Sequence, residues 1–407
     1  MTDLNRRALL RSALAAGSMG VSWRLWAAPA GAKRPRFVMV FLRGAYDSLS
    51  ALAPYGDSFY REARPNIALT APGTGGENAV FALDGRWGMA PALEEDLMPF
   101  YSRQELAFVP FFGTDFVSRS HFQAQDWLEL GQPTEGRVDT NSGFLNRLLV
   151  QLGGAGSQPR EGISFTQSLP PSFRGSLQVA NSPVSKAKLR PVGPRYETLL
   201  QAMYQGHHAQ EMVIDGLSLR HEISRELSEE MQISSRDSLP AGSFALEAQR
   251  IGRLLKENPA YTVGFVDVGG WDTHVNQGAG RGQLSSRLQG LASGLGEMAT
   301  ALGPDWKDTV VVVVSEFGRT FRENGSRGTD HGHGSAMWVL GGSVRGGAVR
   351  GRQGPIGPNS LHQNRDLPVL NEYRATLGGI FQRMYGLDEK SIAGIFPGSR
   401  SQDIGLL

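Results

Sequence analysis

The chain has 407 residues, of which 40% are hydrophobic and 20% are charged, and it contains no cysteine. This length and apolar content are typical of one large α/β domain or two smaller ones, and they exclude a chain that is disordered throughout. The missing cysteine excludes disulfides, thiolate metal sites, iron–sulfur clusters and a cysteine nucleophile. A transition-metal site must therefore use His, Asp and Glu. With 8 histidines in the chain, any cluster of them is informative.

The formal net charge of +2 is unevenly distributed along the chain. Residues 1–30 carry four arginines and one aspartate, whereas the remainder carries 37 basic and 38 acidic residues. The body of the protein is therefore close to neutral, and it lacks the positive field that gathers nucleic acid or an anionic membrane. We expect neither as a partner.

The first 30 residues have the composition of an export signal. A polar start contains the adjacent Arg6 and Arg7, a mildly apolar run covers residues 8–21, and the sequence APA at residues 28–30 precedes a candidate cleavage site. This plan is typical of a secretory signal, and the paired arginines resemble a twin-arginine (Tat) leader. We expect a periplasmic or extracellular protein that meets the Tat translocase during export. A cytosolic amphipathic helix is the alternative. No segment has the roughly 20 apolar residues that a stable membrane span needs.

Apolar strands and amphipathic helices alternate along the body. Short β-rich runs predict strands, and longer periodic segments predict helices. In chain order, the sequence predicts a strand at 36–42, a helix at 91–103, a strand at 106–112, helices at 121–130 and 142–151, loops and short strands over 153–194, helices at 196–236 and 244–256, a strand at 262–268, a helix at 284–302, strands at 309–314 and 336–340, and a helix at 372–385. This alternation indicates an α/β fold with a mostly parallel sheet and helices on both faces. We expect residues 31–407 to form one domain with a helical insertion near 195–258.

Polar residues lie where the predicted strands end. Ligands of an open α/β sheet bind outside the carboxyl ends of its strands. The candidate metal ligands at these positions are Asp47, Asp272, His274, Glu316, His331 and His333. Imidazole and carboxylate groups suit Zn or Mn, and carboxylate-rich sites suit Mg or Ca. We therefore expect a divalent metal of one of these kinds.

Each candidate ligand also has a structural interpretation. His331 and His333 alternate with glycine in GTDHGHG, so they can turn toward one metal or cap turns of a polar loop. The two aspartates can serve a turn or a helix cap. Glu316 can form an ion pair with Arg319, because an unpaired buried carboxylate is costly.

The candidate nucleophiles precede the predicted helix at 121–130. Ser120 is either a helix N-cap or a nucleophile beside the positive end of that helix, and Ser118 is the second candidate. For His121 we favour a packed ring over a metal ligand or a proton donor.

Three arginines, namely Arg43, Arg119 and Arg319, are candidate anion clamps because guanidinium matches the geometry of oxyanions. A structural or surface role is the alternative for each. The sequence contains no G-x-S-x-G, H-E-x-x-H or G-K-[ST] motif. This absence argues against a serine esterase, a zincin and an NTPase.

Several longer motifs resemble those of the exported bacterial DUF1501 family. They are FLRGAYDSL, RPNIAL, LDGRWGMAPAL, RSHFQAQDWLELG, GWDTHVNQ and VVVVSEFGRTFRENGSRGTDHGHGSAMWVLGG, together with the twin-arginine leader. This family looks like a distant branch of the alkaline phosphatase and sulfatase superfamily. The resemblance implies an alkaline-phosphatase-like fold, a hydroxyl or thiol-derived nucleophile, and one or two divalent metals.

Carried over by position, the resemblance also implies roles for individual residues. The ligand positions of the superfamily correspond to Asp47, Asp272, His274, Glu316, His331 and His333, and the nucleophile position corresponds to Ser120 or Ser118. The chain departs from the superfamily pattern at Glu316 and Phe317, which stand where an aspartate and a histidine ligand are usual.

These features lead to two hypotheses of function. The first is an exported, metal-dependent hydrolase of phosphate or sulfate esters that acts on a small-molecule or envelope-derived ester, with arginines holding the developing charge. The second is a non-catalytic exported envelope protein that retains the fold and binds a partner or ligand. A formylglycine sulfatase is disfavoured, because the chain has no cysteine to convert and no C/S-x-P-x-R pattern.

Overall fold

The computed structural model of the protein describes residues 34–136, 138–153, 161–183 and 235–407. The expected leader and most of the expected helical insertion near 195–258, including the predicted helix at 196–236, lie outside the described residues. Within the described ranges, no helix combines the length and the hydropathy that a membrane crossing requires.

The strands of the described chain form two sheets. Their bounds are β1 Arg36–Arg43, β2 Leu52–Ala53, β3 Phe81–Ala82, β4 Gly88–Met89, β5 Leu106–Gly113, β6 Gly162–Ser164, β7 Ala180–Asn181, β8 Leu239–Pro240, β9 Val263–Gly269, β10 Thr309–Ser315, β11 Ser335–Leu340, β12 Ala348–Val349 and β13 Asn371–Glu372. The large sheet has ten strands in the order β12-β5-β11-β10-β1-β9-β6-β7, with β13 paired to β5 and β8 paired to β9. The small sheet has the order β2-β4-β3.

The large sheet is parallel except at β11. This strand runs antiparallel to both β10 and β5, whereas the other paired strands of the sheet run parallel. The carboxyl ends of β1, β5, β9 and β10 therefore meet at one edge. Because β11 is reversed, its first residue lies at the same edge. We call this edge of the sheet the site edge.

Eight helices of the described chain accompany the sheets. They are α1 Ser58–Ala63, α2 Pro91–Ser102, α3 His121–Leu130, α4 Phe144–Gly153, α5 Phe244–Glu257, α6 Gln283–Leu302, α7 Tyr373–Tyr385 and α8 Glu389–Ile395. Short 3-10 turns link several of these elements.

Helices cover both faces of the large sheet because its strands are apolar on both sides. Along β1, Val38 and Val40 face one buried cluster, which also contains the apolar residues of α2, α5 and α6. The alternate residues Phe37 and Met39 face a second buried cluster, which contains those of α4, α7 and α8. A strand that is buried on both faces reads as a continuous apolar run, as β1 and β10 do. The α/β class with a mostly parallel sheet and helices on both faces is confirmed.

Most predicted long elements lie close to their expected positions. The predicted helix at 121–130 is α3, and the predicted strand at 309–314 is β10 with one more residue. The helix expected at 142–151 begins two residues later, at Phe144. The small sheet, α1 and α8 were not predicted. The strands of the small sheet have two residues each, and the helices α1 and α8 have six and seven residues. These elements are too short to show a periodic pattern in the sequence.

We predict that Phe381→Ala lowers the free energy of unfolding by about 3–5 kcal/mol. Phe381 is fully buried in α7, and its ring centroid lies 5.0 Å from that of Phe37 in β1. The control is Leu246→Ala in α5, where the residue is 56% exposed, and here the expected change is about 0.5 kcal/mol or less. Urea unfolding measures both. A cost below about 1 kcal/mol for Phe381→Ala would show that α7 does not pack on the sheet as described.

Candidate metal centre

Five ionisable side chains reach the site edge from four different stretches of the chain. His121 begins α3 after β5, Asp272 and His274 follow β9, Glu316 follows β10, and His331 precedes the reversed strand β11. The sheet thus brings together residues that are far apart in sequence.

Close backbone packing holds the His331 loop in place. His331 forms an isolated antiparallel bridge with Arg319. A Cβ atom at the next residue, Gly332, would lie 2.4 Å from the carbonyl carbon of Arg319. Glycine at this position is therefore required for the approach of the two loops.

Three imidazoles and one carboxylate converge at this edge, and we call His121, His274, His331 and Asp272 the histidine–aspartate cluster. The Nε2 atom of His331 lies 2.9 Å from Nε2 of His121 and 3.1 Å from Nε2 of His274. Asp272 Oδ1 lies 2.8 Å from His274 Nε2 and 3.2 Å from His331 Nε2. Asp272 Oδ2 lies 3.3 Å from His121 Nε2. His121, Asp272 and His331 each place one ligand atom within 4.8 Å of the other two.

The second nitrogen of each ring faces a hydrogen-bond acceptor. The acceptors are Glu316 Oε1 for His121 Nδ1 at 2.7 Å, the carbonyl oxygen of Arg119 for His331 Nδ1 at 2.9 Å, and Asp330 Oδ1 for His274 Nδ1 at 3.4 Å. A carbonyl or a carboxylate only accepts, so the proton of each neutral ring sits on Nδ1. The three Nε2 atoms then direct lone pairs at one another and at Asp272. Such an arrangement favours positive charge, which Arg319 supplies in part, with its Nη1 atom 3.4 Å from His274 Nε2, and which a metal ion or additional protons can complete.

The cluster has the composition and spacing of a metal site. Histidines that bind metals almost always donate their other ring N–H to a carboxylate or a carbonyl, as these three rings do. Ligand atoms about 2.0–2.2 Å from a tetrahedral ion lie about 3.3–3.6 Å apart. The separations of 2.8–3.3 Å within the cluster are close to these values. The residues present therefore fit a divalent metal ion.

The carboxylates of the site are ionised despite their burial. Burial raises the pKa of Asp272, but close contacts with the three cluster histidines, which stabilise the carboxylate when protonated, and the charge of Arg319 outweigh burial and hold the pKa far below its ordinary value. Arg319 Nη2 donates to Asp272 Oδ1 at 2.5 Å. Burial lowers the pKa of His121, but hydrogen bonds with Asp272 and Glu316 outweigh it and raise the pKa to about 9. The edge thus stabilises positive charge at His121.

Glu316, an expected ligand, contacts His121 on the side away from the cluster. Its Oε1 atom accepts from His121 Nδ1, from the backbone N–H of Gly44 at 2.8 Å and from Gln125 Nε2 at 3.0 Å. Burial raises the pKa of Glu316, but the hydrogen bond and charge of His121 and the amide of Gln125 lower it to about 2. In this position Glu316 orients the ring of His121.

Asp47 and His333, also expected as ligands, lie in other clusters. Both oxygens of Asp47 accept from Arg64, at 2.6 and 3.0 Å, and Gln277 donates to Oδ2 at 2.8 Å. The ring of His333 packs against that of His362 with centroids 4.6 Å apart and the ring planes tilted by 34°. Burial and the neighbouring His362 lower the pKa of His333 to about 4.

The candidate nucleophiles lie directly before His121. Ser120 is the N-cap residue of α3, and its side chain makes no capping hydrogen bond. Ser118 Oγ donates to Gln123 Oε1 at 2.9 Å and accepts from the backbone N–H of Ser120. Ser120 therefore carries the less constrained hydroxyl of the two.

The three candidate anion clamps occupy different positions. The side chain of Arg119 is 50% exposed and donates to Gln363 Oε1 at 3.2 Å. Arg319 is buried against Asp272 and also donates to the carbonyl of Ala45. Arg43 is buried in ion pairs on the far side of Glu316, which leaves it no accessible face for a substrate.

Sequence reasoning did not place His121 among the ligands, because we favoured a packed ring. The available signal was its position: it is the first residue of a helix that follows a central strand, at the edge where the other candidates were expected. Among the candidates, the structure brings together Asp272, His274 and His331 and adds His121.

The fold and the cluster define an α/β protein with a histidine–carboxylate site at the carboxyl edge of a mostly parallel sheet. The family described as "Protein of unknown function (DUF1501)" matches residues 34–396, and the chain belongs to this family. The expected family membership is thus confirmed. No curated protein matches the sequence.

Several solved structures are similar to the chain at low identity. A lipoteichoic acid synthase from Listeria monocytogenes is 10% identical with a TM-score of 0.40, over 92% of this chain and 77% of that one. A 2-O GAG sulfatase is 10% identical with a TM-score of 0.41, over 91% and 76%. A protein in the alkaline phosphatase superfamily from Vibrio parahaemolyticus is 9% identical with a TM-score of 0.35, over 78% and 62%. At this level of similarity no superfamily, substrate, metal or reaction follows for this chain.

We predict that Asp47→Asn lowers the free energy of unfolding at pH 7 by about 3–5 kcal/mol, because it leaves the buried Arg64 without its anion. Burial raises the pKa of Asp47, but the charge and hydrogen bonds of Arg64 outweigh it and hold the pKa below 3.8. A depressed carboxyl pKa contributes stability that is fully present above 3.8 and is lost as the pH falls further. The difference in the free energy of unfolding between Asp47→Asn and the wild-type protein should therefore become smaller below pH 3.8.

Urea unfolding at pH 7 and pH 3 measures this difference, and elemental analysis accompanies it. The variant should contain as much metal as the wild-type protein, because Asp47 belongs to a separate cluster. Selective metal loss in a folded Asp47→Asn protein would instead make Asp47 a ligand.

Proposed function

We propose that this protein is a metal-dependent hydrolase of phosphate or sulfate esters, with the metal held by the histidine–aspartate cluster. The observation that carries the proposal is the convergence of three Nε2 atoms on the buried Asp272 while each Nδ1 atom faces an acceptor. This pattern is what a metal site requires of its ligands and of their outer partners.

The surroundings of the cluster favour an anionic substrate. Arg365 Nη2 donates to the carbonyl of His331 at 2.8 Å, and the half-exposed Arg119 accepts from the same residue through its own carbonyl. The N-terminus of α3 also lies here, since His121 is its first residue. Helix N-termini and guanidinium groups both stabilise tetrahedral oxyanions such as phosphate and sulfate.

The cluster is accessible to a substrate on one side. The side chains of His274 and His331 are 19% and 15% exposed, whereas Asp272 and Glu316 are buried. A substrate therefore approaches over His274 and His331, between Arg119 and Asp330, which lie beside them.

The chain's own groups have separable tasks in ester hydrolysis. When bound, the metal supplies Lewis acidity toward an ester oxygen and a hydroxyl or water nucleophile. Arg319 keeps Asp272 ionised and fixed in place. The hydroxyl of Ser120, which makes no capping hydrogen bond, is the candidate attacking group, with Ser118 as the second candidate. Arg119 and Arg365, which both contact His331, are the candidates to hold the charge that develops on the ester oxygens.

We predict that His331→Ala removes the bound metal. Hydrolysis of aryl phosphate or aryl sulfate should fall more than about 100-fold, which exceeds the usual effect of losing an outer-shell partner. The matched control is His362→Ala, which removes a histidine outside the cluster whose Nε2 atom makes no hydrogen bond in the described region. Elemental analysis and a chromogenic assay with both ester classes provide the measurements, and thermal unfolding confirms that both variants fold.

The opposite result has a definite meaning. Wild-type protein that contains no metal after loading with Zn²⁺, Mn²⁺, Mg²⁺ or Ca²⁺, and that hydrolyses neither ester, would refute the hydrolase. The non-catalytic envelope protein would then be the better description. Bound metal without hydrolysis of either ester would refute the reaction and retain the metal site.

We also propose that the protein is exported through the twin-arginine pathway. The support is the sequence of residues 1–30, with Arg6 and Arg7 before the apolar run. Replacing both arginines by lysine should leave the protein in the cytoplasm, where cell fractionation and immunoblotting would detect it. Undiminished export of that variant would exclude this route.

A further inference from the structure

A row of buried polar contacts leads from β1 to the side of His121 that faces away from the cluster. Arg43 Nη1 donates to Gln125 Oε1 at 3.0 Å, and Gln125 Nε2 donates to Glu316 Oε1 at 3.0 Å. Glu316 Oε1 in turn accepts from His121 Nδ1 at 2.7 Å. All four residues are buried. We call this row the Arg43–His121 relay.

Each contact in the Arg43–His121 relay has one permitted direction. A guanidinium only donates and stays charged, so the Gln125 atom that faces Arg43 must be the amide oxygen. The amide nitrogen then faces Glu316, where it can only donate. The amide of Gln125 therefore has a single orientation.

Other donors reinforce the acceptor role of Glu316. The backbone N–H of Gly44 donates to Oε1 at 2.8 Å, and the hydroxyl of Ser315 donates to Oε2 at 2.8 Å. With donors on both oxygens, Glu316 is an acceptor toward His121 as well. His121 consequently keeps a proton on Nδ1, and in its neutral form it directs the lone pair of Nε2 at the cluster.

The start of the relay is fixed by two acids. Asp267 Oδ2 lies 2.6 Å from Arg43 Nε, and Glu129 Oε1 lies 2.9 Å from Arg43 Nη2. The guanidinium therefore has a partner on each of its three nitrogens, counting Gln125 on Nη1. It cannot turn without breaking a buried ion pair, which is costly.

We propose that Gln125, oriented by Arg43, is a positioning residue that holds His121 in the form whose Nε2 atom binds the metal. This inference rests on the proposed function of the cluster. Gln125 acts through Glu316 and His121, and its effect is on metal affinity.

Two substitutions of Gln125 test the proposal. Gln125→Glu keeps the shape of the side chain but places a second carboxylate beside Glu316. The two carboxylates must then share a proton or repel each other. Gln125→Met removes both hydrogen bonds at similar volume. The control is Asn146→Asp in α4, because Asn146 is likewise buried and its amide donates to the carbonyls of Phe173 and Leu177 at 2.9 and 2.8 Å.

The measurement is the apparent Kd for Zn²⁺ of the full chain, obtained by competition with a chromophoric chelator. The absorption spectrum of the Co²⁺-loaded protein reports the ligand geometry, which a general loss of packing would not change. We expect Zn²⁺ binding about 10–100-fold weaker for both Gln125 variants and an altered Co²⁺ spectrum. Asn146→Asp should lose stability but keep Zn²⁺ affinity within about threefold, since its hydrogen-bond partners belong neither to the relay nor to the cluster.

The outcomes separate this inference from the proposed function. Wild-type protein that binds Zn²⁺ no more tightly than the Gln125 variants would overturn the positioning role and leave the hydrolase standing. An equal loss of affinity in Asn146→Asp would also overturn it, because the effect would then be one of packing. Wild-type protein that does not bind Zn²⁺ or Co²⁺ would overturn the inference and the metal site together.

Discussion

The buried negative charge of Asp272 is the constraint around which the site is built. A carboxylate out of contact with water must be paired, and here Arg319 and three imidazoles surround it. The Nδ1 atoms of the imidazole rings around Asp272 in turn face hydrogen-bond acceptors. Each group thus determines the hydrogen-bonding role of its neighbour. The mostly parallel sheet makes this possible, since it delivers the ends of distant strands to one edge.

The sequence was sufficient to predict the scaffold of this arrangement. Long apolar runs such as β10 and the periodic pattern of α6 depend on local composition, and both lie close to where they were expected. The rule that polar residues collect at strand ends then placed Asp272, His274 and His331 at the same edge. Composition could not show that β11 runs antiparallel, because the direction of a strand depends on which neighbour it pairs with.

The distinction between a ligand and its neighbour could not be read from the sequence, because it depends on long-range partners. Glu316 directs its oxygens at Gly44, Gln125 and His121, and the chain separations run from 191 to 272 residues. Asp47 forms an ion pair with Arg64, which lies 17 residues later in the chain. No spacing rule predicts this pair. His331 and His333 lie in the same glycine-rich loop, but the loop turns His331 toward His121 and His333 toward His362.

The arrangement of the cluster has a mechanical consequence for a chain that has no cysteine. Its four members come from three stretches of the sequence, at residues 121, 272–274 and 331, and a bound ion would tie these stretches to one point. Such a tie closes two long loops and penalises the unfolded chain, as a covalent bridge does in many secreted proteins. One ion would thus serve both as a reagent and as a reversible cross-link, so that loss of the ion would loosen the architecture as well as the chemistry.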